Sequence, residues 1–305
     1  MTNTVVRVEE LRKSYGAITA VDGVSFEVYE GEIFGVVGPN GAGKTTALEC
    51  IEGLRSPDGG RIEVLGLNHE RDEYELRERI GVQLQQSALN ARIKVWEALD
   101  LFAAFYRRSV PWEPLLEQLG LADKRNAPFA KLSGGQKQRL FIALSLVNDP
   151  ELVFLDELTT GLDPHARRSM WDLLLDIRKH GKTIVLSTHF MEEAERLCDR
   201  VAIIDRGRIV ALDSPRNLIR GLGGASRLSF AVEGNYDFAP LNALATVTRV
   251  EAKGEQLTVY GSGSEMAADV MNSLATNGVR FRDLKTEQST LEDVFLALTG
   301  REMRD

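Results

Sequence analysis

Gly38-Pro39-Asn40-Gly41-Ala42-Gly43-Lys44-Thr45-Thr46 lies between two patterned stretches. Before it, Ile33 to Val37 is an apolar run with the length of a buried strand. After it, Ala47, Leu48, Ile51 and Leu54 recur at the spacing of one helix face. Strand, glycine-rich turn and helix are the context a phosphate-binding loop requires. The glycines let the backbone bend tightly and bring its N–H groups close to an anion. The start of the helix adds unpaired N–H groups and the positive end of the helix dipole. In such a loop Lys44 reaches the outer phosphates and the Thr45 hydroxyl ligates Mg2+. A glycine-rich loop without that role would not need both flanking elements.

Outward from the loop, bulk composition sets the class. The chain has 305 residues, 43% hydrophobic and 27% charged, with a net charge of −8. That is enough for one large domain and a smaller one. Apolar runs such as Leu101 to Tyr106 fall far short of the roughly 20 residues of a membrane span. Met1 to Thr4 carries neither a basic region nor an apolar core, so no signal peptide is expected. Cys50 and Cys198 each lie in a helical pattern and read as reduced packing residues, which suits the cytoplasm. The negative charge argues against a protein built to hold nucleic acid.

Residues 4 to 30 alternate as β-structure, interrupted at Tyr15-Gly16. Beside a phosphate loop, Tyr15 reads either as a loop residue packing on a strand or as an aromatic platform for a base. Ser56 to Gly60 is a turn, Arg61 to Leu65 a strand, 70 to 79 a solvated helix, and Ile80 to Val82 a strand running into Gln83-Leu84-Gln85-Gln86. Residues 88 to 148 are mostly helical in pattern, with Val95, Leu99, Phe102 and Tyr106 on one face. In Leu132-Ser133-Gly134-Gly135-Gln136, Ser133 and Gln136 have the spacing of a capping box. The Gly-Gly pair leaves backbone N–H groups bare, a second candidate anion receptor.

Leu152 to Leu155 reads as a central parallel strand ending in Asp156-Glu157. Carboxylates at the carboxyl end of such a strand fall on the ligand-binding edge of an open α/β sheet. One of the two can hold a Mg2+ shell and the other can polarise a water. Gly161 to Pro164 is a turn. Thr183 to Ser187 is another buried strand, and His189 at its end reads as a phosphate contact on the same edge. Val201 to Asp205 and Arg208 to Leu212 form a hairpin around Arg206-Gly207. Gly221 to Ser226 reads as a linker. Beyond it, strands at 228–232, 246–250, 257–260 and 279–284 and helices at 265–275 and 291–298 suggest a small α+β domain without a catalytic constellation.

The ordered set of phosphate loop, Gln85, Leu132-Ser133-Gly134-Gly135-Gln136, Asp156-Glu157, Gly161-Leu162-Asp163 and His189 resembles the nucleotide-binding subunit of an ABC transporter. The likeness covers residues 4 to 215. It implies an α/β P-loop NTPase domain at 1–220, with a helical subdomain at about 88–148, followed by a small α+β accessory domain at 221–305. It implies ATP and Mg2+ as ligands. Tyr15 then stacks on adenine, Gly38 to Thr46 wrap the phosphates, and Thr45, Gln85 and Asp156 serve Mg2+. Glu157 becomes the general base, with Lys44, Gln85 and His189 at the reacting phosphate. Ser133 to Gln136 cap the ATP of a second subunit, with Asp163 in the loop at that dimer interface. A homodimer and a separate transmembrane permease are the implied partners, which would hold the chain at the inner face of the cell membrane. Leu158 departs from the proline usual in the family after the glutamate. The tail Leu291-Glu292-Asp293-Val294-Phe295-Leu296 is similar to that of daunorubicin-resistance-like exporter ATPases, so export of drugs, antibiotics or other hydrophobic compounds is expected. An importer subunit and a non-transport ABC ATPase remain the competing readings.

Overall fold

In the computed structural model, residues 3–69, 71–85, 88–222, 225–232, 237–262 and 265–301 are described. The chain divides into two compact units, with the boundary between Ser214 and Pro215.

The first unit opens with β1 (Thr4–Tyr15) and β2 (Ile18–Tyr29), an antiparallel pair, then β3 (Ile33–Val37), α1 (Lys44–Ile51), β4 (Gly59–Val64) and β5 (Leu67–Asn68). It continues with α2 (Glu73–Arg79), β6 (Ile80–Gln83), α3 (Val95–Ala103), α4 (Trp112–Gln118), α5 (Gly134–Leu146) and β7 (Leu152–Asp156). It closes with α6 (Pro164–Lys179), β8 (Thr183–Thr188), α7 (Met191–Leu197), β9 (Arg200–Asp205) and β10 (Arg208–Asp213).

Two sheets result. One has the order β2-β1-β4-β5; the other runs β10-β9-β3-β8-β7-β6. In the second, β6, β7, β8, β3 and β9 are parallel and β10 closes the edge antiparallel. Every residue of β3, β7 and β8 is buried, as expected for parallel strands covered on both faces. α1 packs against β1, β2 and β4 on one side and β7 and β8 on the other. One core therefore joins Val6, Leu11, Val24 and Ile62 to Leu48, Ile51, Val36 and Phe154. The rings of Phe26 and Phe34 stack across it with centroids 5.0 Å apart.

α1 ends before Leu54, which is about half exposed instead of continuing the buried face. Tyr106 likewise falls beyond the end of α3. α5 belongs to the sheet as much as to the helical region. A side chain on Gly81 of β6 would meet the Ser145 carbonyl at 1.9 Å, and Asn148 Nδ2 donates to the Ile80 carbonyl at 2.9 Å.

The second unit starts with α8 (Pro215–Gly221), so the break comes ahead of the glycine-rich stretch. Pro215 fits the first turn of a helix, where its missing N–H costs nothing. Gly221 ends that helix and Ala225 begins a strand; Gly223 and Gly224, at the centre of the expected linker, lie outside the described residues. The unit continues with β11 (Ala225–Val232), α9 (Ala239–Asn242), β12 (Val247–Lys253), β13 (Gln256–Ser262), α10 (Met266–Thr276), β14 (Phe281–Gln288) and α11 (Leu291–Thr299). Its antiparallel sheet has the order β12-β13-β11-β14. Leu228, Phe230, Leu257 and Val259 pack with Leu241, Met266, Val270 and Leu274 in a core of its own.

Candidate functional site

The carboxyl ends of β3, β7 and β8 carry the candidate residues, and backbone crowding shapes the first of them. A Cβ on Gly38 would sit 2.1 Å from the Ile204 carbonyl, and one on Gly43 (φ +102°) 2.1 Å from the Ala20 carbonyl. Only glycine fits these two positions. Gly38 N–H donates to the Thr188 carbonyl at 3.3 Å and Gly207 N–H to the Ala42 carbonyl at 2.9 Å, so β8 and the β9–β10 turn both hold the loop. α1 then begins at Lys44 with no side-chain cap and no acid in its first turn, leaving its dipole uncompensated. Pro39, Asn40, Gly41 and Thr46 complete the loop and the first turn.

Lys44 turns back beneath the loop. Its Nζ donates to the Pro39 carbonyl at 3.1 Å and lies 3.4 Å from Glu157 Oε1, with both side chains buried. Burial lowers its pKa, opposed by Glu157. Glu157 gathers further partners. Gln85 Nε2 donates to its Oε2 at 2.9 Å, Thr160 Oγ1 to the same oxygen at 3.4 Å, and His189 Nδ1 stands 3.5 Å from Oε1. Its backbone is left-handed (φ +47°), an uncommon conformation for a glutamate. Its N–H is held by Ser187, through Oγ at 3.1 Å and through the carbonyl at 3.2 Å. Strain at one such residue costs on the order of 1 kcal/mol and persists where neighbours enforce it. The following Leu158 is buried.

β8 lies between β3 and β7, so Asp156 faces the loop across Ser187. Ser187 Oγ donates to Asp156 Oδ1 in a short hydrogen bond, and Thr45 Oγ1 lies 3.4 Å from the same atom. Burial raises the Asp156 pKa, against the pull of these hydroxyls. Thr45, Gln85 and Asp156 line one cavity of about 220 Å³, with Leu48, Glu49, Glu52 and Leu84. Its donors are all oxygen or amide, which suits a hard cation such as Mg2+. Among the described residues no three His, Cys, Asp or Glu gather as a metal site.

The remaining candidates flank this group. Tyr15 is 41% exposed, with the Arg55 guanidinium 5.2 Å and the Lys13 ammonium 5.9 Å from its ring centre. Ser133 caps α5: its Oγ accepts from Gln136 N–H at 3.3 Å, and Gln136 Oε1 accepts from Ser133 N–H at 3.0 Å. Leu132 anchors the turn from beneath, and Gly134 and Gly135 pack lightly toward Leu162 and Ala166. Asp163 caps α6 by accepting from His165 and Ala166 N–H, each at 2.9 Å, which lowers its pKa. Among the described residues no hydrogen bond or ion pair joins Tyr15 or Ser133 to the Lys44–Glu157 group. Sequence reasoning passed over Ser187, Thr160 and Glu52. Ser187 was read only as the end of a strand, and nothing in its position along the chain marks it as the residue that holds both the Asp156 carboxylate and the Glu157 backbone N–H.

A family model described as ABC transporter matches residues 21–160. The Nod factor export ATP-binding protein I of Ralstonia nicotianae is 42% identical over 99% of this chain and 95% of its own length. That of Paraburkholderia xenovorans is 41% identical over the full length of both. The chain belongs to the ABC transporter ATP-binding proteins. Among solved structures, an ATP-binding subunit of an ABC transporter superposes on this cassette with a TM-score of 0.65 at 30% identity, covering 72% of this chain and 93% of its own. A dimeric cassette in a post-hydrolysis state with ADP and Pi matches at 0.62 and 28%, over 68% and 98%. The cassette is an ATPase that uses ATP with Mg2+. Subunits of this kind work as dimers with a transmembrane permease. No helix among the described residues is long and apolar enough to cross a membrane.

Proposed function

We propose that this cassette powers an exporter, hydrolysing ATP between two copies of itself on the cytoplasmic face of the membrane. The observation that carries the chemistry is the meeting of Lys44, Gln85 and His189 on the Glu157 carboxylate at the mouth of the phosphate loop. In this reading Gly38 to Thr46 wrap the triphosphate and Lys44 exchanges the Pro39 carbonyl and Glu157 for phosphate oxygens. Release from Lys44 leaves Glu157 free to take a proton from the attacking water, and His189 contacts the outer phosphate. Thr45, Gln85 and Asp156 hold Mg2+, which neutralises charge on the phosphates. Ser133 to Gln136 of one subunit cap the nucleotide of the other, and Asp163 lies in the loop between them. Tyr15 is the surface on which adenine stacks, beside Arg55 and Lys13.

Export is supported by the names of the relatives, both Nod factor export ATP-binding proteins, and a drug, antibiotic or other hydrophobic cargo by the Leu291 to Leu296 tail, like that of daunorubicin-resistance-like ATPases. The large ATPase unit and the smaller α+β unit divide the labour: the first carries every residue assigned to ATP and Mg2+, the second a docking or regulatory role. The test is reconstitution of the chain with its permease in vesicles. ATP-dependent accumulation of a lipophilic dye inside inverted vesicles, lost with Lys44→Ala, is the expected result. ATPase activity without outward transport of any hydrophobic probe, alongside ATP-driven uptake of a solute, would reverse the direction assigned.

A further inference from the structure

Glu52 is a buried acid near the Mg2+ residues to which that reading gives no task. It caps the carboxyl end of α1, its N–H donating to the Leu48 carbonyl at 2.8 Å. The residue is only 4% exposed, and its Oε1 is buried without a hydrogen-bond partner among the described residues. Every feature of its setting disfavours a negative charge. The helix dipole places its negative end there. The charges that act on it, from Asp156 and Glu49, are both negative. The nearby cation Arg55 is spent on Glu49, at 2.7 Å. A charged carboxylate so placed is disfavoured unless something compensates it.

The compensation is read from where the side chain lies. Glu52 lines the cavity shared by Thr45, Gln85 and Asp156. Mg2+ sheds its hydration shell reluctantly and keeps several waters in protein sites. Groups that hydrogen-bond such ligands from outside orient them and strengthen the site. We propose that Glu52 extends the divalent-cation site, its carboxylate accepting hydrogen bonds from metal-bound water on the side of the cavity away from the phosphates. This rests on the reading of Thr45, Gln85 and Asp156 as the Mg2+ residues. Glu52 is thus a positioning residue: it touches neither nucleotide nor reacting atoms, and it makes the cation's binding depend on the far end of α1.

The test uses Mn2+ in place of Mg2+, with the full chain loaded with a non-hydrolysable ATP analogue. Free Mn2+ is read by its electron paramagnetic resonance signal. Removing an outer partner of this kind weakens metal binding by about 10-fold or more, and that is the loss expected for Glu52→Gln and Glu52→Ala. Affinity for the analogue in EDTA should stay within about twofold of the parent, because the residue lies outside the phosphate loop. Should Glu52→Ala fold poorly, the nearly isosteric Glu52→Gln still reports. Mn2+ affinity unchanged by Glu52→Gln, while Thr45→Ala and Asp156→Asn weaken it, would overturn the role of Glu52 alone. If the Thr45 and Asp156 variants also bind Mn2+ as the parent does, the cation site itself is misplaced.

Discussion

Lys44 Nζ and Glu157 Oε1 lie 3.4 Å apart, with both side chains almost wholly withdrawn from solvent. The same glutamate is also touched by Gln85 and Thr160. The phosphate-binding cation and the proposed base therefore neutralise one another. Exchanging Glu157 for Gln keeps the shape and the amide contact to Gln85 but removes the proton acceptor. Loss of a general base slows turnover by about 10²- to 10⁴-fold. Phosphate release should fall by that factor while a fluorescent ATP analogue binds at least as well as to the parent. Turnover within about threefold of the parent would remove Glu157 from the base role.

Lys44→Ala acts in the opposite sense on the same pair. It leaves Glu157 buried with no full positive charge beside it, and breaking a buried pair from one side costs about 3 kcal/mol. Nucleotide affinity should collapse, and the nucleotide-free chain should also melt earlier, as measured by calorimetry. Lys44→Ala with a normal melting temperature would mean that solvent reaches Glu157 freely.

Two glycines of the phosphate loop separate crowding from backbone strain. A methyl on Gly38 meets the Ile204 carbonyl at 2.1 Å, whereas one on Gly41 meets nothing within 4 Å although its φ is +77°. Gly41→Ala should cost roughly 1 kcal/mol from conformational strain alone. Gly38→Ala forces the loop away from the β9 carbonyl and should cost at least about 2 kcal/mol. Chemical denaturation of the two variants gives the order, and a reversed order would contradict the loop geometry.

These contrasts show what was legible in the chain itself. The phosphate loop, the Ser133 cap and the Asp156-Glu157 strand end are local patterns, set by spacing and by apolar runs, and the structure has an element at each. Strand order is not local. That β8 separates β3 from β7, and that Ser187 consequently bridges to Asp156, follows from crossovers that no window of sequence displays. The ends of the expected linker are not local patterns either: Gly221 closes a helix and Ala225 opens a strand. Glu52 was hidden for the same reason, since nothing in the spacing of α1 shows that Leu84 and Gln85, at the exit of β6, line one cavity with it.

Glu52 also gives the cassette a pH signature. Burial, with Asp156 and Glu49 beside it, pushes its pKa from 4.5 up to about 8. The folded chain therefore retains a proton that the unfolded chain gives up near the ordinary glutamate value. Stability from this group is complete below that value and is lost as pH rises toward about 8. Glu32, Asp156 and Glu193 are shifted in the same direction and add to the slope. Glu52→Gln should accordingly show a flatter decline in melting temperature between about pH 5 and 8 than the parent, both in EDTA. Parallel curves for the two proteins would show Glu52 to be ionised throughout.

The Ser133 turn supplies the last test, because its bare N–H groups and the phosphate loop are joined by no described hydrogen bond or ion pair within one chain. Gly135→Asp places a carboxylate where the neighbour's triphosphate would lie. The fold should tolerate it: a Cβ there meets only Ala166 Cβ at 3.7 Å, and an acid in the first turn suits the dipole. Gly135→Asp and Lys44→Ala chains should each be inactive alone, since every site in either homodimer lacks one half. In an equal mixture about half the dimers pair one of each and hold one intact site, so roughly a quarter of the parent's ATPase should return. The returned activity should rise with the square of protein concentration when the dimer is weak, which sets it apart from residual turnover by either variant. A mixture no more active than its parts would mean that each chain hydrolyses ATP with its own Ser133 turn or without one.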